Sequence, residues 1–123
     1  LRHHTLLHDR QLANEEFSLY WHHWLRDAGV SDIDGDRGPG FTDSTLMLEM
    51  ARRGAGVALG RSGLCADDLA EGRLVRPFAI SRPAEYSYFV VLPEGHAGKA
   101  RVRAFLDWIE AEAARSRLVT AAA

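Results

Sequence analysis

The sequence predicts an α/β domain with a mostly parallel sheet and helices on its faces. Short apolar runs of strand length alternate with stretches of helical periodicity along the chain. Gly, Pro or Asp clusters bound most of these runs, as turns and helix stops require. Strands separated by helices are the pattern of βαβ units, whose helices must bury their apolar faces on the sheet. With 123 residues, the chain is one domain or a piece of a slightly larger one, at roughly 150 residues per domain. A chain of this size buries about two-thirds of its unfolded surface, enough for one core without staples.

The first strand is Thr5-Leu6-Leu7-His8, an apolar run that ends at Asp9-Arg10. The polar stretch from Gln11 to Ser18 reads as loop. Trp21, Trp24, Leu25 and Ala28 then fall at i, i+3, i+4 and i+7, one stripe of an amphipathic helix that Gly29 ends. The Asp- and Gly-rich segment from Val30 to Gly40 is a loop leading into a short strand near Phe41.

Thr42-Asp43-Ser44 is a cluster of N-cap residues directly before Leu46, Met47, Met50 and Ala51, which share a helical face. Arg52 and Arg53 oppose the negative end of that helix, and Gly54 closes it. Gly56-Val57-Ala58-Leu59 reads as a short buried strand, too apolar for exposure on either face. A brief helix over Ala66–Ala70 stops at Gly72. Leu74-Val75-Arg76-Pro77-Phe78 reads as an edge strand, because Pro77 cannot donate to a ladder. Tyr86 to Leu92 carries the strongest strand signal, rich in aromatic and β-branched residues, and Pro93-Glu94-Gly95 breaks it. Val102, Phe105, Leu106 and Ile109 define a C-terminal helix that fades into an alanine tail. Neither an internal repeat nor a low-complexity linker interrupts this order.

Composition excludes several classes of function. Seventeen acidic against fifteen basic residues give a formal charge of -2. A domain that grips nucleic acid usually carries a basic excess or stripe, and this chain has neither overall. Cys65 is the only cysteine, so no intrachain disulfide framework exists and a reduced, cytoplasmic setting is expected. No apolar run approaches the roughly 18 residues that span a bilayer, and Leu1 opens no signal peptide.

Candidate chemistry narrows to one junction. His3, His4, His8, His22 and His23 lie close in sequence, but His4 and His8 share a face only in a helix, and theirs is a strand. His22 and His23 point away from the tryptophan stripe, so no metal ligand set forms. Ser62 lacks a Gly-x-Ser-x-Gly elbow, and the charges of Asp67 and Asp68 disfavour a Cys65 thiolate. No pair of acids stands out for glycoside chemistry. Gly54-Ala55-Gly56 follows a helix and precedes a strand, the reverse of a dinucleotide-binding turn. The strand-to-helix junction Phe41-Thr42-Asp43-Ser44 is better placed. Ligands of parallel sheets sit at the carboxyl ends of strands, often on helix N-termini. Plain N-capping by Asp43 or Ser44 accounts for the same residues, and the two roles are compatible.

The landmarks also have a telling order. Thr5-Leu6-Leu7-His8-Asp9 is followed by Trp24-Leu25-x-x-Ala28-Gly29, Arg37-Gly38-Pro39-x-Phe41 and Asp43-Ser44. Then come Gly54-x-Gly56-Val57-Ala58-Leu59-Gly60-Arg61, Leu74-Val75-Arg76-Pro77-Phe78, Tyr86-x-Tyr88-x-x-Val91-x-Pro93-Glu94 and Phe105-x-x-Trp108-Ile109. Over nearly its whole length the chain resembles the C-terminal half of the effector-binding (substrate-binding) region of a LysR-type transcriptional regulator. Within that family it is most similar to the subgroup containing the glycine-cleavage activator and the β-lactamase regulator.

The resemblance implies a periplasmic-binding-protein-like (type 2) fold, two α/β lobes joined by crossing strands with a small effector between them. Residues 1–85 would form the second subdomain. Residues 86–123 would supply the crossing strand and a C-terminal helix belonging to the first subdomain, which is largely missing. DNA binding would belong to the parent protein's N-terminal helix-turn-helix, which has no counterpart here. By the same resemblance the chain is no enzyme, needs no cofactor or metal, and works in the cytoplasm as part of a homo-oligomeric regulator. The effector contacts it implies are Thr42, Asp43 and Ser44 at the junction and Tyr86 and Tyr88 on the crossing strand. The subgroup usually has a hydroxyl pair at the junction, so Ser44 carries over and Asp43 is a substitution. A zwitterion such as an amino acid or short peptide could use both charges. The alternatives are a fragment of a metal- or cysteine-dependent hydrolase and a protein-interaction module.

Overall fold

A computed structural model describes residues 1–10, 20–82 and 88–122, with side chains as far as Ser116. The chain divides into two compact units, Leu1–Pro83 and Ala84–Ala123. The expected loop over Gln11–Ser18 and the start of the expected strand at Tyr86 lie outside the described residues.

The first unit is built on β1 (Leu6–Asp9), which lies between β2 (Gly40–Phe41) and β3 (Val57–Ala58) in a parallel sheet of order β2-β1-β3. The register pairs His8 with Gly40 and Asp9 with Phe41 on one side, and Leu6 with Val57 and Leu7 with Ala58 on the other. All four residues of β1 are buried, as a central strand covered on both faces must be. Alternation sends successive side chains to opposite faces. Leu7 packs with Met47, Leu48 and Cys65, whereas Leu6 packs with Trp21 and Leu25. β3 is an edge strand and only half-buried, so the expectation that it would be shielded on both faces is not met.

Three helices cover this sheet. α1 (Trp21–Asp27) lays Trp21 and Leu25 on the Leu6 face, and the Trp21 indole donates to the Leu7 carbonyl at 3.0 Å. α2 (Ser44–Arg52) and α3 (Ser62–Ala70) bury Met47, Leu48 and Cys65 on the Leu7 face. α1 and α2 end alike. Gly29 and Gly54 take φ of 71° and 73°, and the residue after each donates back to Leu25 and Met50 at 2.8 and 3.0 Å. That geometry satisfies carbonyls a helix end would otherwise orphan, and it favours a residue without Cβ.

α3 begins at Ser62, four residues before the expected Ala66, because Leu64 and Cys65 already donate to the Arg61 carbonyl. Asp68 ties α3 to α2. It accepts from Arg52 at 2.8 Å and from Arg73 at 2.7 Å, and these two hydrogen bonds hold its carboxyl below the usual carboxylate range.

The segment Leu74–Phe78 is not the expected edge strand. Leu74 rests on the core under α2 and α3, and the Phe78 ring lies 5.7 Å from that of Trp24. Arg82 pairs with Asp27 at 3.5 Å, so the chain after α3 runs to α1 instead of joining the sheet. Pro77, with no N–H to give, removes one incentive to pair.

In the second unit, residues 88–92 form no strand, contrary to the sequence signal. Tyr88, Phe89 and Val91 are exposed. Aromatic and β-branched residues favour an extended backbone, but a strand exists only where another strand's edge takes its hydrogen bonds, and the described part of this unit contains none. α4 (Ala100–Ala122) follows, its Phe105 and Trp108 rings 5.7 Å apart and both half-exposed. Val102, Leu106 and Ile109 are partly buried.

Candidate functional site

The carboxyl ends of the three parallel strands define one edge of the first unit. β1 ends in Asp9, β2 leads through Thr42 and Asp43 into α2, and β3 leads through Gly60 and Arg61 into α3. With β1 in the middle, its two neighbours lie on opposite sides, so a topological switch point falls at this edge.

Asp9 is the centre of the arrangement. Its side chain is 7% exposed, yet it stands at the end of an otherwise apolar strand. Burying a carboxylate is costly unless donors surround it. The Ser44 hydroxyl donates to Asp9 Oδ2 at 2.5 Å, and Arg61 Nη2 lies 3.6 Å from the same oxygen. These side-chain contacts draw together the ends of β1, β2 and β3. Backbone pairing with β2 continues one residue past β1, where Arg10 N–H donates to the Phe41 carbonyl at 2.7 Å.

Each supporting residue is held by local structure. Asp43 is the N-cap of α2 and accepts from the Leu46 N–H at 2.9 Å. With Asp43 as cap, Ser44 becomes the first helical residue, and its hydroxyl turns inward to Asp9. Gly60 sits so close to Cys65 Sγ that a Cβ there would collide with it, so a glycine lets the chain before Arg61 pass against α3. The edge therefore presents one buried carboxylate, one exposed carboxylate, one guanidinium, and the positive ends of two helices. Such an array can orient a small charged molecule, and it offers donors and acceptors to both ends of a zwitterion.

The other candidates belong to the fold. The buried His8 ring bonds the Arg37 carbonyl at 2.9 Å through Nε2. Among the described residues no three His, Cys, Asp or Glu side chains come together as a metal site. Cys65 is buried, and that burial, reinforced by Asp68, pushes its thiol above the ordinary range, away from nucleophilic duty. No described helix is long and apolar enough to cross a membrane.

Of the residues expected at a site, Thr42 and Asp43 are exposed at the edge, and Ser44 is buried with its hydroxyl donating a hydrogen bond to Asp9. Tyr88 is 96% exposed in the second unit, and Tyr86 lies outside the described residues. Sequence reasoning missed Asp9 and Arg61. A signal existed for Asp9: an acid closing an apolar run read as a buried strand must be buried or partnered. Arg61 had only its place after the β3 run.

Fold and edge together define a periplasmic-binding-protein-like effector module, and the chain belongs to the LysR substrate binding domain family, whose model matches residues 1–114. This is a family of effector-binding domains of transcriptional regulators rather than of enzymes, which sets the hydrolase alternative aside. The chain is 32% identical over 111 residues to the glycine cleavage system transcriptional activator of Escherichia coli strain K12, covering 90% of this chain and 34% of that protein. It is 36% identical over 112 residues to the HTH-type transcriptional regulator DsdC of the same strain, covering 89% and 35%. Its fold matches the effector domain of the transcriptional regulator AmpR of Pseudomonas aeruginosa with a TM-score of 0.62 at 31% identity, covering 94% of this chain and 54% of that one. The chain thus spans about a third of the length of these curated relatives.

Proposed function

We propose that this chain is the small-molecule-sensing part of a LysR-type transcriptional regulator, and that effector binding at the carboxyl edge of its sheet controls how the parent protein acts on DNA. Residues 1–85 serve as the second effector-binding subdomain. Residues 86–123 serve as the crossing segment and C-terminal helix of the first. DNA contact falls to an N-terminal helix-turn-helix of the parent regulator, a cytoplasmic homo-oligomer. The observation that carries this reading is the convergence of Asp9, Ser44 and Arg61 where three parallel strands end.

The effector is a small polar molecule of the amino acid or short peptide class. Carboxylates and a guanidinium stand side by side at this edge, as a zwitterion requires. One relative is an activator of the glycine cleavage system, a system named for an amino acid, in keeping with that class. Thr42, Asp43 and Ser44 contact the effector from the second subdomain, and Tyr86 and Tyr88 from the crossing segment. A tyrosine there supplies a flat apolar face and one hydroxyl, a common way to orient a small ligand.

The test uses the intact regulator. Losing one hydrogen bond to a charged ligand group costs about 1.5–3 kcal/mol, or roughly one to two decades of affinity. Ser44→Ala and Tyr88→Phe should each raise the half-maximal effector concentration by that factor, with DNA affinity in the absence of effector unchanged. Unchanged effector responses in both variants would refute these contacts.

A further inference from the structure

We infer that Arg61 is the carboxylate-reading residue of this effector site, which makes the effector a carboxylate-bearing molecule; the inference rests on the effector-site reading above. A structural arginine in this protein looks different. Arg52 and Arg73 each give Asp68 a hydrogen bond, at 2.8 and 2.7 Å. Arg61 lies 3.6 Å from Asp9, near enough for Coulomb attraction and too far for a hydrogen bond. Among the described residues that ion pair is the sole polar contact of its guanidinium, so the five N–H donors stay available.

Asp9 does not compete for them. Its side chain is 7% exposed and the oxygen nearest Arg61 already accepts the Ser44 proton at 2.5 Å. It acts as a tether, holding the guanidinium at the edge by charge while leaving the fork geometry that matches a carboxylate unspent. The Arg61 side chain is 32% exposed, and Asp9 lies deeper, so an incoming anion meets the guanidinium first. Arg61 is also the residue from which α3 starts, and Ser44 opens α2, so two helix N-termini add positive potential at this edge.

The probes are acetate and glycine, with acetamide and glycinamide as their carboxylate-free counterparts, titrated into the full chain and its Arg61→Gln and Arg61→Lys variants. NMR follows the Arg61 Nε–Hε resonance and the backbone amides of Asp43–Leu46, and gives a dissociation constant for each probe. The expected result is a saturable shift of the Arg61 resonance with acetate and glycine only. Arg61→Gln should abolish a carboxylate-over-amide preference of at least about tenfold, as loss of one charge-assisted contact entails, and Arg61→Lys should restore part of it. A merely structural role for Arg61 would leave that ratio unmoved. Shifts at Asp43–Leu46 with Arg61 silent, or an unchanged preference in Arg61→Gln, would overturn the assignment of Arg61 and leave the site standing. Silence at both places with every probe would overturn the assignment and the site together.

Discussion

Ser44→Ala is the substitution that weighs the edge network against the rest of the fold. It removes the hydroxyl that donates to Asp9 Oδ2 at 2.5 Å, while the Asp43 cap of α2 and its bond to the Leu46 N–H remain. Alanine is the better helix former at the vacated position, so helix propensity opposes the loss by a few tenths of a kcal/mol at most. A hydrogen bond to a charged group contributes about 1.5–3 kcal/mol. At roughly 4 °C per kcal/mol for a chain of this size, the midpoint should fall by about 6–12 °C. Thermal unfolding followed by the fluorescence of Trp21 and Trp24, with the half-exposed Trp108 replaced by Phe, measures it. Asp9→Asn completes a double-mutant cycle, in which the pair should couple by about 1 kcal/mol or more. Ser44→Thr, which keeps a hydroxyl, should recover part of the stability. A Ser44→Ala protein within about 0.5 kcal/mol of wild type, a change typical of uninvolved surface sites, together with additivity in the cycle, would refute the network. The same experiment sets the working temperature at which Ser44→Ala can be used to test effector contact.

Other outcomes follow from the core. Trp21→Phe strands the Leu7 carbonyl that the indole bonds at 3.0 Å and should cost about 1–3 kcal/mol, seen as a lower urea midpoint at unchanged slope. Cys65, its thiol pushed up first by burial and then by Asp68, should react with a disulfide reagent at pH 8 only as fast as the protein opens; reaction as rapid as in the urea-unfolded chain would contradict its burial. Asp68 is held below its ordinary range by Arg52 and then Arg73, so its folded pKa lies under its unfolded one. The stability it contributes is therefore present above the unfolded value and lost as pH falls from near 4 through the folded value. Asp68→Asn should melt lower than wild type at pH 7 and show a flatter decline in acid; parallel acid profiles would remove Asp68 from the account.

What could be read from the sequence was local. The stops at Gly29, Gly54 and Gly72 were legible because a left-handed turn after a helix needs only neighbours a few residues away. The Asp43 cap was legible for the same reason. β1 announced itself by burial on both faces. The failures were non-local. Residues 88–92 have every intrinsic preference for a strand, but pairing depends on an edge that the described part of their unit does not contain. Leu74–Phe78 reads as an edge strand on the strength of Pro77, and the contacts of Phe78 with Trp24 and of Arg82 with Asp27 draw the chain elsewhere. The site was half legible. The junction at Thr42–Ser44 followed from strand-then-helix order, whereas the meeting of Asp9 with Ser44 and Arg61 depends on the sheet order β2-β1-β3, which no local pattern encodes.

The most direct test of the central claim is amide chemical-shift mapping on the isotope-labelled intact regulator during titration with an effector identified by its response. The account predicts saturable shifts clustered at the strand ends and helix starts, at Asp9–Arg10, Thr42–Leu46 and Gly60–Ser62, with Leu25–Val30 at the far end of α1 unaffected. Shifts that cluster away from the strand ends, with Thr42–Leu46 and Gly60–Ser62 silent at saturation, would contradict it.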